Sequence, residues 1–205
     1  MNEGFLLWYR APWSRREAAV VLRRLAALGL AARNPLTGAI TVIGDAPGAW
    51  GEQRSVSEPE LLDGLEAGSP GVSFQLWLDA ASDVFTAVRA TGNGIVVEFG
   101  LDGLGERQEQ VVRALVRIVA TFRSGCQGFV LDRAGHTSDE DWDGVVEGAC
   151  PRLDDWPDIL GIGRELAEHL HGPPAPSRFP DGALTVFSRA VPRPARRLNP
   201  ARREG

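Results

Sequence analysis

Apolar positions along this chain follow two rhythms, and their alternation outlines the fold. Residues 5–9, "FLLWY", form an unbroken apolar run, which suits a strand buried on both sides. From residue 14 the spacing changes. Ala18, Val21, Leu22, Leu25 and Leu28 recur at three and four, the signature of one helical face. Ser14 and Glu17 open this helix as an S-x-x-E capping box, Trp13 stands where a hydrophobic staple would sit, and Gly29 supplies a stop. "GAITVIG" at 38–44 returns to strand character, completing a β-α-β pattern.

Residues 45–72 are looser, with one short helical piece, "EPELLDGLEAG". Three closely spaced strands follow. "SFQLWL" (73–78) alternates so that Phe74, Leu76 and Leu78 share a face and Trp77 falls on the other. "DVFTAVRA" (83–90) and "IVVEF" (95–99) flank "TGNG", where Asn93-Gly94 signals a hairpin because such turns favour positive φ. A second long helix spans 105–122, with Val111, Leu115, Ile118 and Phe122 in one stripe, and "GFVLD" (128–132) is a strand. The strand at 95–99, this helix and this strand repeat the opening β-α-β in pattern but not in sequence.

The expected fold is α+β: a mixed, mostly antiparallel sheet built from two β-α-β units joined by a β-meander, with helices packed on one face. Residues 1–150 form the core domain. Residues 151–187, with a helix at 159–172 and a strand at 183–187, read as an extension packed on it. Residues 188–205, "SRAVPRPARRLNPARREG", read as a disordered basic Arg/Pro tail.

Charge sharpens this division. Net charge is −5, and the chain has no lysine, so every basic charge counted is an arginine. The tail holds six arginines against Glu204, giving +5, so the preceding 187 residues carry 16 arginines against 26 acids, giving −10. An acidic body repels phosphates, so nucleic acid is expected to bind only weakly, through the tail. With 43% hydrophobic and 24% charged residues, the balance is that of a water-soluble globular chain. The arginine, alanine and glycine usage suits a high-GC bacterial genome. No apolar stretch reaches the roughly 20 residues of a membrane span, the start lacks a signal-peptide pattern, and a cytoplasmic location is expected. Cys126 and Cys150 are too few for a disulfide framework.

The strongest motif candidate is "HTSDEDWDG" (136–144), where Asp139, Asp141, Asp143 and Gly144 match the opening of a calcium loop. The twelfth position is Cys150, not the bidentate glutamate such a loop needs, and a strand precedes it instead of a helix. A helix start accounts for more. Thr137 and Glu140 form a T-x-x-E box, acids in the first turn favour the helix dipole, and Trp142, Val145 and Val146 share a face. Gly144 inside that helix is the residue this reading leaves unexplained.

No nucleophile elbow, P-loop or zinc-protease motif occurs, and no cofactor is expected. "GLDGLGERQ" (100–108) has the wrong spacing for a dinucleotide loop. Cys126 and His136 lie at opposite ends of the 128–132 strand, so a thiol–imidazole pair is not expected. His169 and His171 do not share a helix face.

Two function classes remain. The first is a non-catalytic acidic protein that recognises a basic protein partner. Immunity-type inhibition of a toxin is one role that fits, by analogy alone. Its expected contact residues are Trp50, Trp77, Asp139, Asp141, Asp143, Asp154, Asp155 and Trp156, aromatic residues on irregular or exposed positions together with the local concentration of acid. The second is a small-molecule-binding protein or enzyme with its site in the concavity of the sheet under the 45–57 loop, using Glu98 or Asp132 as acid or base. Nothing in the sequence sets an oligomeric state.

Overall fold

The structure is a computed structural model that describes residues 4–44, 51–67, 71–149, 152–172 and 177–189. It is an α+β fold with ten strands in one sheet and five α-helices among the described residues. Strand β1 (Phe5–Arg10) leads into helix α1 (Arg15–Ala27), then β2 (Ile40–Ile43), β3 (Gln53–Val56), helix α2 (Glu58–Ala67) and the meander β4 (Val72–Trp77), β5 (Asp83–Ala90) and β6 (Ile95–Gly100). Helix α3 (Gln108–Thr121), β7 (Cys126–Asp132), the short α4 (Trp142–Glu147), β8 (Ile159–Gly163), the short α5 (Arg164–His169), β9 (Ser177–Asp181) and β10 (Leu184–Ser188) complete it. No helix among the described residues is long and apolar enough to cross a membrane.

The strand order is β3-β2-β4-β5-β6-β1-β7-β8-β10-β9. Every neighbouring pair is antiparallel. The β-α-β patterns of the sequence therefore exist as split units. Strands β6 and β7 are parallel to each other with β1 inserted between them, and α3 connects them. Likewise β1 and β2 are parallel across three intervening strands, bridged by α1. Where 151–187 is expected as a packed extension, residues 152–188 supply β8, β9 and β10 and continue the same sheet. The helix expected at 159–172 is instead β8 followed by the short α5, because Leu160 and Ile162 are buried in a strand that pairs with β10, and β8 also pairs with β7.

One face carries the main core. Leu6 and Trp8 of β1, Val97 and Phe99 of β6 and Leu131 of β7 pack with Val21 and Leu25 of α1, Leu61 and Leu65 of α2, and Leu115 and Ile118 of α3. The capping box of α1 forms as its sequence implies, with Glu17 N–H donating to Ser14 Oγ at 3.3 Å and Ser14 N–H to Glu17 Oε2 at 2.9 Å. A second box, Ser57 with Glu60, starts α2. Trp13 does more than staple: it is buried, and its indole N–H donates to Leu65 O at 2.9 Å, tying α1 to α2. The buried guanidinium of Arg10 lies over both the Trp8 and Trp13 rings, 5.0 Å from each centroid.

The expectation that helices occupy one face does not hold for the short ones. Phe5, Leu7 and Tyr9 of β1, with Val96, Val130 and Leu160, form a second core on the opposite face, under Trp142, Val145 and Val146 of α4 and Ala167 of α5. The cause is β1 itself. All six of its residues are buried, so its apolar run needs cover on both sides.

The β5–β6 hairpin forms where Asn93-Gly94 marks it, with a different reason for the glycine. Gly94 is not among the positive-φ glycines. Its missing Cβ leaves room for β1: a methyl there would stand 2.3 Å from the Arg10 carbonyl oxygen. Gly94→Ala should therefore push the hairpin off β1 and cost about 1–3 kcal/mol, the range of an overpacked site. Asn93→Ala, at an exposed position, should stay within about 0.5 kcal/mol. Thermal denaturation of the two variants checks this, and equal melting temperatures would refute the steric account.

Candidate functional site

The second-face cover stops partway across the sheet. Helices α4 and α5 roof β1, β7, β8 and β10, and the six-residue α4 ends the roof at β1. The step from roofed to open sheet forms a cleft of about 520 Å³. Its floor is Phe5, Leu7 and Tyr9 of β1, Phe85 and Arg89 of β5, and Glu98 and Gly100 of β6. Its wall is Ser138 and Glu140 through Asp143, with Asp102 at one end. Strand parity places these residues together. Ala87↔Glu98 and Glu98↔Leu7 form one cross-strand row, and beyond it Gly100 pairs with Phe5 and lies against Phe85, whose Cβ would stand 3.7 Å from a methyl on Gly100. Phe85 is 43% exposed, one of two large apolar side chains so exposed among the described residues, with Leu36 the other.

The wall is pinned by Asp143. Its Oδ1 accepts from Tyr9 Oη at 2.8 Å and from Arg89 Nη2 at 3.0 Å, and its Oδ2 accepts from Arg89 Nη1 at 2.5 Å. This two-point ion pair crosses from α4 to β5, so it ties roof to floor. The hydrogen bonds from Arg89 hold the Asp143 carboxyl below its ordinary range, and the same bonds raise Arg89. Burial, followed by the bond to Asp143, pushes the Tyr9 phenol far up, so it stays a neutral donor.

Glu98 behaves in the opposite way. It is half-buried, makes no ion pair or hydrogen bond among the described residues, and desolvation raises its pKa despite the nearby Arg89 charge. The other wall carboxylates bond only to backbone. Asp102 Oδ1 accepts from Gly4 N–H at 2.9 Å, Glu140 Oε1 from Asp154 N–H at 2.9 Å, and Asp141 Oδ1 from Gly144 N–H at 3.1 Å.

That last bond corrects the reading of residues 136–144. The helix begins at Trp142, with Asp141 as its N-cap. Thr137 does not cap it. Its N–H and Oγ1 instead donate to Asp132 Oδ2, at 2.7 and 2.8 Å. Gly144 is now explained, because a Cβ there would lie 2.6 Å from Asp141 Oδ2, the cap carboxylate. The three aspartates of the motif thus diverge: Asp139 is exposed outside the cleft, Asp141 caps and Asp143 pairs with Arg89.

Of the other expected contact residues, Trp156 is buried, with its ring 5.0 Å from that of Phe187, so it offers no contact surface. It packs on Phe187 of β10 and close to Gly172, where a Cβ would stand 3.3 Å from its ring. Trp77 is half-buried on β4, away from the cleft, and its indole N–H is buried without a hydrogen-bond partner among the described residues. Asp154 is exposed, and Asp155 pairs with Arg189. Trp50 and most of the basic tail lie outside the described residues. Asp132 is fully enclosed by the Thr137 bonds and Ala134 N–H, which makes it a turn anchor and not an acid or base facing a ligand. The described part of the 45–57 loop does not line the cleft. Cys126 is half-buried, with its thiol pushed up to about 11 by desolvation, and exposed His136 stands at the far end of β7.

Tyr9, Phe85, Arg89, Asp102 and Glu140 complete a site that motif scanning passed over. Parity on 83–90 would have found two of them, since Phe85 and Arg89 lie opposite the buried Val84, Thr86 and Val88. No protein-family model, curated protein or solved structure matches this chain.

The two perturbed carboxyls predict opposite pH behaviour. Asp143, with its pKa lowered on folding, contributes stability above the ordinary aspartate range and loses it as pH falls through the lowered value. Asp143→Asn should therefore lower Tm at pH 7 and converge on wild type in strong acid. Glu98, with its pKa raised, favours the folded state below the ordinary glutamate range and loses that advantage as pH rises through the raised value. Glu98→Gln should therefore raise Tm at pH 7 and match wild type near pH 3. Melting curves from pH 3 to 8 check both, and parallel profiles for wild type and Glu98→Gln would contradict the burial of that carboxylate.

Proposed function

We propose that this chain is a non-catalytic binding protein whose cleft receives a basic segment of a protein partner. One observation carries the reading. Glu98, Asp102, Glu140 and Asp141 line a single concavity, and none of them makes an ion pair among the described residues. Arg89 neutralises Asp143 alone, so the cleft keeps a strong negative potential around an exposed aromatic ring. A guanidinium suits that combination. Its planar fork bonds carboxylates in pairs, and its face stacks on an aromatic such as Phe85 for about 0.5–1 kcal/mol. The −10 body speeds capture of such a partner. An immunity-type inhibitor that covers the basic site of a toxin is the role this chemistry fits best.

A second reading is favoured by Glu98 alone. A half-buried, partnerless carboxyl with a raised pKa in a cleft of this size also suits a small cationic ligand. Small amines or guanidines would then raise Tm in wild type and not in Glu98→Gln.

The test of the main reading is affinity capture from native extract, washed at low and high salt, on wild type and on an Asp102→Asn/Glu140→Gln/Asp141→Asn variant. Each substitution keeps an oxygen acceptor for its backbone bond, and asparagine remains a good N-cap. A basic protein retained by wild type, released by salt and bound about 10–100-fold more weakly by the variant is the expected result, from roughly 0.5–1 kcal/mol per lost charge. Retention that is indifferent to the three substitutions would reject the cleft as the binding surface.

A further inference from the structure

The acidic cleft and the basic end of this chain sit within reach of each other. Arg189 is the last described residue of the fold, and it is fixed. Its N–H donates to Asp158 O at 2.9 Å and its guanidinium pairs with Asp155. The residue before it, Ser188, stands in a cross-strand row that runs through Ile159, Leu131 and Leu6 to Phe99. Phe5 and Gly100 of the cleft floor occupy the next row. The chain therefore leaves β10 at the end of the sheet that carries Phe5 and Gly100 of the cleft, four strands away from β6.

Distance permits contact. Four strand spacings of about 4.8 Å make roughly 19 Å. Arg196 and Arg197 are seven and eight residues beyond Arg189, and an extended chain of that length spans about 23–28 Å. Arg202 and Arg203 follow, with Pro192, Pro194 and Pro200 between, and the sequence from 190 to 205 carries five arginines against one acid.

We infer that the cleft lined by Glu98, Asp102, Glu140 and Asp141 is occupied in the free protein by arginines of residues 193–203 of the same chain. The inference rests on the cleft being the basic-segment site proposed above and adds what fills it before a partner arrives. Tethering supplies the advantage. A short linker holds the segment at an effective concentration in the millimolar range, enough to compete with weak basic ligands though each contact is weak. A partner must then displace the segment, which sets a threshold. Scattered surface cations are refused, and a dense, pre-organised basic site is accepted.

The experiment uses the full chain and a full-chain R193Q/R196Q/R197Q/R202Q/R203Q variant, both ¹⁵N-labelled, with a synthetic peptide of residues 190–205 as probe. At low salt, the amides of Gly100, Asp102 and Glu140 to Asp143 should differ between the two proteins, and the difference should vanish at about 0.5 M salt, where charges are screened within roughly 4 Å. The probe peptide should bind the variant about tenfold more tightly than wild type, as a millimolar tethered competitor requires against a Kd on the order of 0.1 mM. Adding Asp102→Asn/Glu140→Gln/Asp141→Asn to the variant should abolish that gain. Identical cleft amides in the two proteins, or equal peptide binding, would overturn the inference. Cleft shifts that grow with protein concentration would also overturn it, by assigning the cleft to a second copy's basic segment. A basic partner captured equally by wild type and the five-glutamine variant would remove this inference and leave the proposed function standing, so the two fail separately.

Discussion

Strand β1 is buried along its whole length, with a hydrogen-bonded neighbour on each edge and a hydrophobic core on each face. Everything else is arranged to satisfy that strand. Trp8, with no exposed surface, anchors the larger core, and Tyr9 anchors the smaller. Fully burying side chains of this size contributes on the order of 1.5–3 kcal/mol each. A single layer of helices could cover only half of that surface. The chain therefore spends α4 and α5 on a second, thinner layer, each helix only six residues long.

The thinness of that layer is what makes a site. A roof that covered the whole second face would leave a three-layer sandwich with no concavity. Here α4 stops above β1, and Asp143 reaches past the roof's edge to Arg89 on β5. The tie fixes the wall while engaging Arg89, the one cation among the described residues of the cleft. The remaining carboxylates are held by backbone N–H groups, so their positions do not depend on a neighbouring positive charge. Structural support thus falls to Asp143, while Asp141 and Glu140 line the same wall without an ion pair among the described residues.

The long helices and the meander were legible in the sequence because each follows from local spacing, whereas β3 and β9 lie in stretches that read as loop and linker and the expected helix at 159–172 divides into β8 and α5. The α1 capping box, the α3 stripe and the β4 alternation all read directly. Strand order was not, since the same β-α-β pattern describes adjacent or split strands, and only long-range pairing inserts β1 between β6 and β7. The 137–147 segment was read as a helix and is one, but it starts at Trp142 because Thr137 is claimed by Asp132, a bond between residues on different elements. The site was half legible. Asp141 and Asp143 stood out as acids, and Glu98 as a charge in an apolar run. Trp156 misled, because a proline-flanked tryptophan in an acidic loop looks exposed until β10 is known to carry Phe187 against it. Phe85 and Arg89 passed unnoticed since neither belongs to a motif, and their importance comes only from facing an unroofed stretch of sheet.

The position of β1 also has a cost during synthesis. Its two partner strands lie near residues 95–100 and 126–132, so on the ribosome it must wait about 90 and then 120 residues for them. At translation speeds of roughly 5–20 residues per second, the run Phe5–Tyr9 stays unpaired on both edges for on the order of ten seconds. A short, uncharged, fully apolar segment exposed that long is the kind of sequence that holdase chaperones bind and that nucleates aggregates. Yield in a heterologous host should therefore be governed by chaperone supply and elongation rate as much as by the stability of the finished fold.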